Sequence, residues 1–161
     1  SSFPTQSYGF DVNADGNVRS HGFAVTADYS LNGGYTIGGN LSYNKLLDQE
    51  DLLAQGFRAS YNTPEWRYNV RFQNRKLTKN IGFNLTYRWQ DAYVWESSIG
   101  EGVVDAFGTL DAQVSYRLSR FNSTIKVGGS NILNEQYTTS LANPTMGAIY
   151  YVSFTLDQLL K

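Results

Sequence analysis

The sequence predicts an all-β fold: antiparallel transmembrane β-barrel strands, about seven or eight of them. Three observations carry this expectation. Apolar and polar side chains alternate with period two in segment after segment, short and long connections take turns between the segments, and aromatic residues gather at both segment ends. Successive strand side chains point to opposite faces, so this alternation marks a sheet with one apolar and one polar face.

The first segment, residues 22–31, sets Phe23, Val25, Ala27, Tyr29 and Leu31 against Ala24, Thr26, Asp28 and Ser30. Asn32-Gly33-Gly34 closes it, a turn signal because Asn and Gly accept positive φ. Tyr35, Ile37, Gly39, Leu41 and Tyr43 then form the returning strand, whose glycines suit a wall that bends. Alternation fails over residues 45–64, where residues 46–53 read as a short helix within a long loop. It resumes with Trp66, Tyr68, Val70 and Phe72 opposite Arg67, Asn69, Arg71, Gln73 and Arg75. A short turn at Thr78-Lys79-Asn80 leads to Ile81, Phe83, Leu85, Tyr87 and Trp89, opposite Gly82, Asn84, Thr86, Arg88 and Gln90. Residues 92–107 read as a second long connection. Leu110, Ala112, Val114, Tyr116 and Leu118 then oppose Asp111, Gln113, Ser115 and Arg117, and residues 119–122 turn the chain. Ile125 and Val127 continue the pattern until Gly128-Gly129 blurs its phase, which predicts a bulge. After a third long connection, residues 134–146, the last strand sets Tyr150, Val152, Phe154 and Leu156 against Tyr151, Ser153, Thr155 and Asp157.

Short turns at one end and long connections at the other are the asymmetry of membrane barrels. A soluble lipocalin-like barrel or sandwich alternates as well, but its apolar face fills the interior. The polar face here carries Arg67, Arg71, Arg75, Arg88, Arg117, Lys126, Asp28, Asp111 and Asp157, the expected make-up of a water-filled lumen. Tyr29, Tyr35 and Tyr116 fall beside the short turns, and Tyr43, Trp66, Tyr68, Trp89 and Tyr150 near the long loops. Two such belts match the aromatic girdles of the two membrane interfaces.

Composition narrows the remaining classes. An aromatic share of 15% with only 17% charged residues excludes a disordered chain. A net charge of -1 gives no basic field for nucleic acid. The absence of cysteine removes disulfide frameworks and Cys-ligated zinc. A mean hydropathy of -0.39 does not exclude a membrane, since a spanning strand needs only about 9–11 residues and half of them face the lumen. The start at Ser1-Ser2-Phe3-Pro4 leads us to expect a processed or internal piece.

The search for catalytic or metal chemistry assigns none. Asp11-Val12-Asn13-Ala14-Asp15-Gly16 matches the first half of a calcium loop, but Gly22 stands where the bidentate Glu belongs, so the stretch reads as an Asp-Gly turn. His21, the single histidine, has no second ligand nearby and reads as a loop residue at the outer rim. Glu50 with Asp51, or Asp105 with Asp111, are the conceivable acid pairs, and nothing buries them. Arg67, Arg71 and Arg75 recur at spacing four on one strand face, either as an anion-attracting wall or plug contact or as a solvated face paired with acids.

Particular stretches carry a resemblance beyond the pattern. Asn62-Thr63-Pro64-Glu65-Trp66-Arg67, Tyr87-Arg88-Trp89-Gln90-Asp91-Ala92, Thr109-Leu110-Asp111-Ala112-Gln113-Val114-Ser115-Tyr116 and Gly129-Ser130-Asn131-Ile132-Leu133-Asn134-Glu135-Gln136-Tyr137 resemble the C-terminal end of TonB-dependent outer-membrane receptors of the Bacteroidetes branch. The likeness runs from about Gly22 onward and is densest over residues 107–156. It implies that residues 1–161 are the C-terminal part of a roughly 22-stranded barrel whose plug domain lies outside this chain. An open sheet would leave two unpaired edges in lipid, at several kcal/mol for each unsatisfied backbone group, so the remaining barrel is an expected partner. One more short strand within residues 7–12 would make the count even.

The resemblance further implies a bacterial outer-membrane location and a non-enzymatic transport role without a cofactor. The implied partners are membrane lipid, the rest of the barrel, the plug and through it the TonB complex, and a small-molecule nutrient. Substrate specificity would reside in residues 46–53, 93–107 and 137–146. Gly147 followed by Tyr150, Val152 and Phe154 resembles the signal read by the barrel assembly machinery, although family members end on an aromatic residue and Leu156-Asp157-Gln158-Leu159-Leu160-Lys161 follows here. The alternatives are a barrel subunit or scaffold of a larger outer-membrane assembly, and a small free-standing outer-membrane barrel.

Overall fold

The computed structural model describes residues 19–47, 62–97, 100–141 and 143–156. Among these described residues nine strands run in chain order: β1 (Arg19–Ser30), β2 (Tyr35–Leu47), β3 (Trp66–Asn74), β4 (Ile81–Gln90), β5 (Tyr93–Ser97), β6 (Gly100–Val104), β7 (Phe107–Leu118), β8 (Ser123–Ser130) and β9 (Ile149–Leu156). Seven of them form one antiparallel sheet in the order β1-β2-β3-β4-β7-β8-β9, and β5 with β6 forms a separate hairpin. Every strand of the large sheet therefore pairs with its neighbour along the chain once the hairpin is set aside.

The register keeps the two faces separate across the whole sheet. Phe23 pairs with Tyr43 and Tyr43 with Trp66. At mid-height Ala27, Gly39, Val70, Tyr87 and Leu110 form one continuous row. On the far side Val114 pairs with Val127 and Val127 with Val152. A one-residue slip anywhere would exchange the faces, and no slip occurs. Among the described residues no second layer covers the apolar side, which is how domains ordinarily bury a sheet. Val127 is 53% exposed and Val152 75%, and the one buried large apolar side chain among the described residues, Val104, belongs to the hairpin.

The short turns are built from small polar locks. Gly33 and Gly34 adopt φ of 74° and 79° between β1 and β2. Asn74, 1% exposed, donates its amide to the Gly33 carbonyl at 2.9 Å and accepts from the Lys76 backbone N–H at 2.8 Å, tying the first turn to the second. Asn122 takes φ 43° in the third turn, and the fully buried Ser123 hydroxyl donates to the Phe121 carbonyl at 2.8 Å.

Several expectations are corrected. No bulge interrupts Gly128-Gly129, because pairing with β7 and with β9 runs through both residues without a gap. Glycine hides the phase of a strand without breaking it, and β8 ends instead at Asn131, which turns to φ 52°. The long connection over residues 92–107 contains two strands that the sequence reading does not assign, β5 and β6, paired with each other. His21 lies in β1 opposite Lys45, with its ring 5.8 Å from Tyr43, and not in a loop. Arg75 falls past the end of β3, so only Arg67 and Arg71 share a strand. Leu46 and Leu47 belong to β2, while the rest of the expected helix over residues 46–53, the candidate strand over residues 7–12 and the partial calcium loop lie outside the described residues.

Candidate functional site

The two faces of the sheet and a pocket on its polar side bear on what it can do. On the polar face the two strand carboxylates each meet a guanidinium. Asp28 of β1 and Arg71 of β3 lie on either side of Gly38 of β2, and Arg71 donates to Asp28 across the missing side chain at 2.7 Å. A Cβ at Gly38 would collide with the Asp28 carboxylate, so the glycine is what lets residues two strands apart touch. Tyr151 uses Gly128 in the same way, donating its phenol hydrogen to Gln113 at 3.1 Å. Arg88 pairs with Asp111, whose other oxygen accepts the Asn131 backbone N–H at 3.0 Å where β8 ends.

Both acids are thus neutralised, and Arg67, Arg117 and Lys126 have no acid partner among the described residues. Among the described residues the polar face therefore carries a surplus of positive charge. Asp111, one member of a conceivable acid pair, accepts charge-assisted hydrogen bonds, a holding role. Among the described residues no three His, Asp or Glu side chains converge to hold a metal ion.

The apolar face holds Tyr29, Tyr35, Tyr43, Trp66, Tyr68, Trp89, Tyr116 and Tyr150, the girdle candidates of the sequence. Toward the long connections, Tyr43 and Trp66 rings lie 4.5 Å apart, and Tyr68 stacks on Trp89 at 5.3 Å. Tyr150 covers Gly129 on the same face. Toward the short turns, Tyr35 stacks on Phe72 at 5.6 Å with 7° between the planes, and Tyr29 and Tyr116 stand exposed nearby. Within the large sheet the charged residues of this face are Arg19 and Lys45, both beyond Tyr43 at the long-connection end.

The pocket lies at that end, on the polar side. Asn40, Arg67, Asn69, Arg88, Gln90 and Thr109 line it, and Phe107, Tyr137 and Thr139 close it over a volume of about 470 Å³. The Phe107 and Tyr137 rings stack at 4.0 Å. The wall they form is held from behind: Tyr93 donates its hydroxyl to the Thr139 carbonyl at 2.7 Å, Tyr137 and Met146 exchange backbone hydrogen bonds, and Leu141 fills the space that a side chain at Gly102 would need. Burial raises the Tyr93 phenol above its ordinary value, which keeps it a donor.

Sequence reasoning missed the residues that shape this wall. Asn131 and Asn134 adopt φ 52° and 55°, and their side chains pin the loop. The Asn131 amide donates to the Glu135 carbonyl at 2.7 Å and accepts from the Glu135 N–H at 3.0 Å, while Asn134 accepts from the Ala148 N–H at 3.0 Å. Asn62, at φ 50°, fixes β5 by exchanging hydrogen bonds of 2.9 and 2.7 Å with the Glu96 backbone. The signal was present as asparagines in loops, the residue that best tolerates left-handed backbone after glycine.

Comparison with known proteins assigns the architecture. The sequence model described as "TonB dependent receptor-like, beta-barrel" matches residues 1–132, and so includes only the first half of the run over residues 107–156 where the resemblance is densest. No curated protein matches. Among solved structures, the ferric-catecholate import receptor Fiu of E. coli K12 superposes with a TM-score of 0.60 at 17% identity, covering 85% of this chain and 20% of that one. The copper transporter OprC gives 0.62 at 17% identity, with 85% and 23% covered. The P. aeruginosa receptor FpvA bound to heterologous pyoverdines gives 0.65 at 11% identity, with 85% and 19% covered. The chain thus spans about a fifth of the length of the solved structures it matches, and at these identities the likeness is one of fold. Together with the family match over most of its length, the two-faced antiparallel sheet shows that this chain belongs to the TonB-dependent receptors, a family of transporters and not of enzymes, as a portion of their β-barrel.

Proposed function

We propose that the chain forms the C-terminal part of an outer-membrane receptor barrel that imports a small-molecule nutrient by TonB-supplied energy. The observation that carries this reading is the uncovered apolar face, free of charge between its two aromatic groups, on a sheet whose other face is polar and cationic. In water such a face would be a large aggregation-prone patch. Against hydrocarbon, each large apolar side chain contributes about 1.5–3 kcal/mol on leaving water.

In this arrangement Tyr29, Tyr35 and Tyr116 form one interfacial girdle and Tyr43, Trp66, Tyr68, Trp89 and Tyr150 the other. Arg67, Arg71, Arg75, Arg88, Arg117 and Asp111 belong to the lumen side. The edges at β1 and β9 pair with the rest of the barrel, and the plug fills the lumen. The β9 strand, with Tyr150, Val152 and Phe154 outward after Gly147, offers the edge that the assembly machinery captures by strand addition. The pocket between Arg67, Arg88 and the Phe107–Tyr137 stack contributes to the substrate vestibule, and Arg67, which has no acid partner among the described residues, favours an anionic substrate or chelate. The solved relatives include receptors for ferric catecholates and pyoverdine and a copper transporter, which makes metal chelates the first panel to test.

The test is accumulation of labelled chelates by cells expressing the intact polypeptide, with and without collapse of the proton-motive force. Energy-dependent accumulation of at least one anionic chelate, reduced by Arg67→Gln, is expected. Accumulation equal to that of cells lacking the protein, across the panel, would refute the transport reading.

A further inference from the structure

We propose that the short-turn rim of the sheet is a docking surface for the phosphate groups of anionic phospholipids. The inference rests on the reading that the strands span a bilayer, and it concerns the opposite end of the sheet from the substrate pocket.

The two ends of the sheet differ sharply in charge. The turn over residues 75–80 presents Arg75, Lys76 and Lys79, and Arg117 and Arg120 flank the turn between β7 and β8; all five are exposed. No Asp or Glu occurs in residues 70–82 or 114–130. The long-connection end mixes signs, with Glu65, Asp91, Glu96, Glu101, Asp105 and Glu135 beside Arg19, Lys45, Arg67 and Arg88, and Asp28, the strand acid near the β1–β2 turn, is paired with Arg71. The rim is also rigid and continuous. The Arg117 N–H donates to the Asn80 carbonyl at 2.8 Å, and the Ser119 hydroxyl donates to the Asn80 side chain at 3.3 Å, joining the two cationic turns directly. Thr78 braces the first turn by accepting from the Asn80 and Ile81 N–H groups at 3.3 and 3.1 Å.

Two apolar side chains decide the kind of partner. Leu77 stands between Lys76 and Lys79 with 46% exposure, and Phe121 follows Arg120 with 66%. A cation beside an exposed apolar tip fits a membrane interface, where the ring or isobutyl group enters the acyl boundary and the ammonium or guanidinium meets phosphate. Tyr116 and the Tyr35–Phe72 stack lie immediately above on the apolar face, so the rim continues the surface that already faces lipid. Arg75 and Arg117 follow the polar phase and add to the field, leaving Lys76, Lys79 and Arg120 at the turn tips to take the headgroups. An acidic protein would satisfy the charges but would leave Leu77 and Phe121 unexplained.

The intact polypeptide is reconstituted in phosphatidylcholine bilayers with and without about 30 mol% phosphatidylglycerol, and lipid selectivity is read from spin-labelled lipids at the protein boundary. The wild type is expected to favour phosphatidylglycerol about five-fold, the worth of one surface cation. The combined variant Lys76→Gln, Lys79→Gln, Arg120→Gln loses this preference, the charge-keeping variant Lys76→Arg, Lys79→Arg retains it, and free inorganic phosphate does not compete. Insertion into both bilayers without selectivity, or selectivity untouched by the triple variant, overturns the proposal while leaving the barrel reading intact. A preference for a soluble acidic protein over the lipid overturns it as well. Failure to insert into either bilayer removes the barrel reading and this inference together.

Discussion

On the polar face of the sheet both strand carboxylates have found a guanidinium, whereas on the apolar face Val114, Val127 and Val152 stand in a row with no described residue above them. One backbone carries both patterns, so the difference lies in what each face meets. The polar face resolves its charges internally, reaching over Gly38 and Gly128 to do so. The apolar face resolves nothing internally and depends on its solvent. A hydrocarbon environment turns that dependence into stability, and water turns it into aggregation.

The sharpest way to break this contrast is to exchange the chemistry of neighbours in β8. Val127→Arg places a charge on the lipid side at mid-strand and should destabilise the folded protein in bilayers by about 2–4 kcal/mol. The change Lys126→Leu, one residue away on the other face, should cost less than about 1 kcal/mol. Denaturant unfolding in vesicles measures both, and equal penalties would contradict the assignment of faces.

Next in size is Asn131→Ala, which removes two side-chain hydrogen bonds from a residue 3% exposed and leaves alanine at φ 52°. A loss of about 2–3 kcal/mol is expected, read as a drop in unfolding midpoint, with increased proteolysis between residues 131 and 148. The expected effect of Arg71→Gln is smaller. Both members of that pair are about half exposed, so it should contribute only about 0–1 kcal/mol and the variant should unfold within that range of the wild type.

The smallest effect concerns pH. The Tyr93 phenol is raised in the folded state, so the unfolded state releases its proton first as pH climbs. Its hydrogen bond to Thr139 is therefore fully in place below a pH of about 10 and is lost as pH rises through the raised value. Hydrogen exchange in residues 137–146 should quicken in that window, and Tyr93→Phe should abolish the change while leaving exchange in β7 unaltered.

The strands were legible because period two is a direct imprint of a half-buried sheet, and the rows Phe23–Tyr43–Trp66 and Val114–Val127–Val152 follow from it. Where glycine occupies a position, the imprint fades. Gly128 and Gly129 looked like a broken phase, yet they lie under Tyr151 and Tyr150 on opposite faces of an unbroken strand. Gly100 and Gly102 concealed the β5–β6 hairpin in the same way. The asparagines at positions 62, 131 and 134 were visible as parts of family-like stretches, but Asn62 and Asn134 pin partners 34 and 14 residues away, which no local pattern encodes, and only the left-handed turn at Asn131 brings its side chain to Glu135. The Arg71–Asp28 pair, 43 residues apart, was out of reach for the same reason.

The account stands or falls on which face meets lipid, and the cysteine-free chain allows that to be scanned residue by residue. Single cysteines placed along β8 from Thr124 to Val127 in the intact polypeptide, spin-labelled and reconstituted in bilayers, report collision with dissolved oxygen or with a water-soluble nickel chelate. A period of two is predicted, with Ile125 and Val127 positions accessible to oxygen and Thr124 and Lys126 positions to the chelate. Uniform access of the chelate to both sets would contradict the central claim.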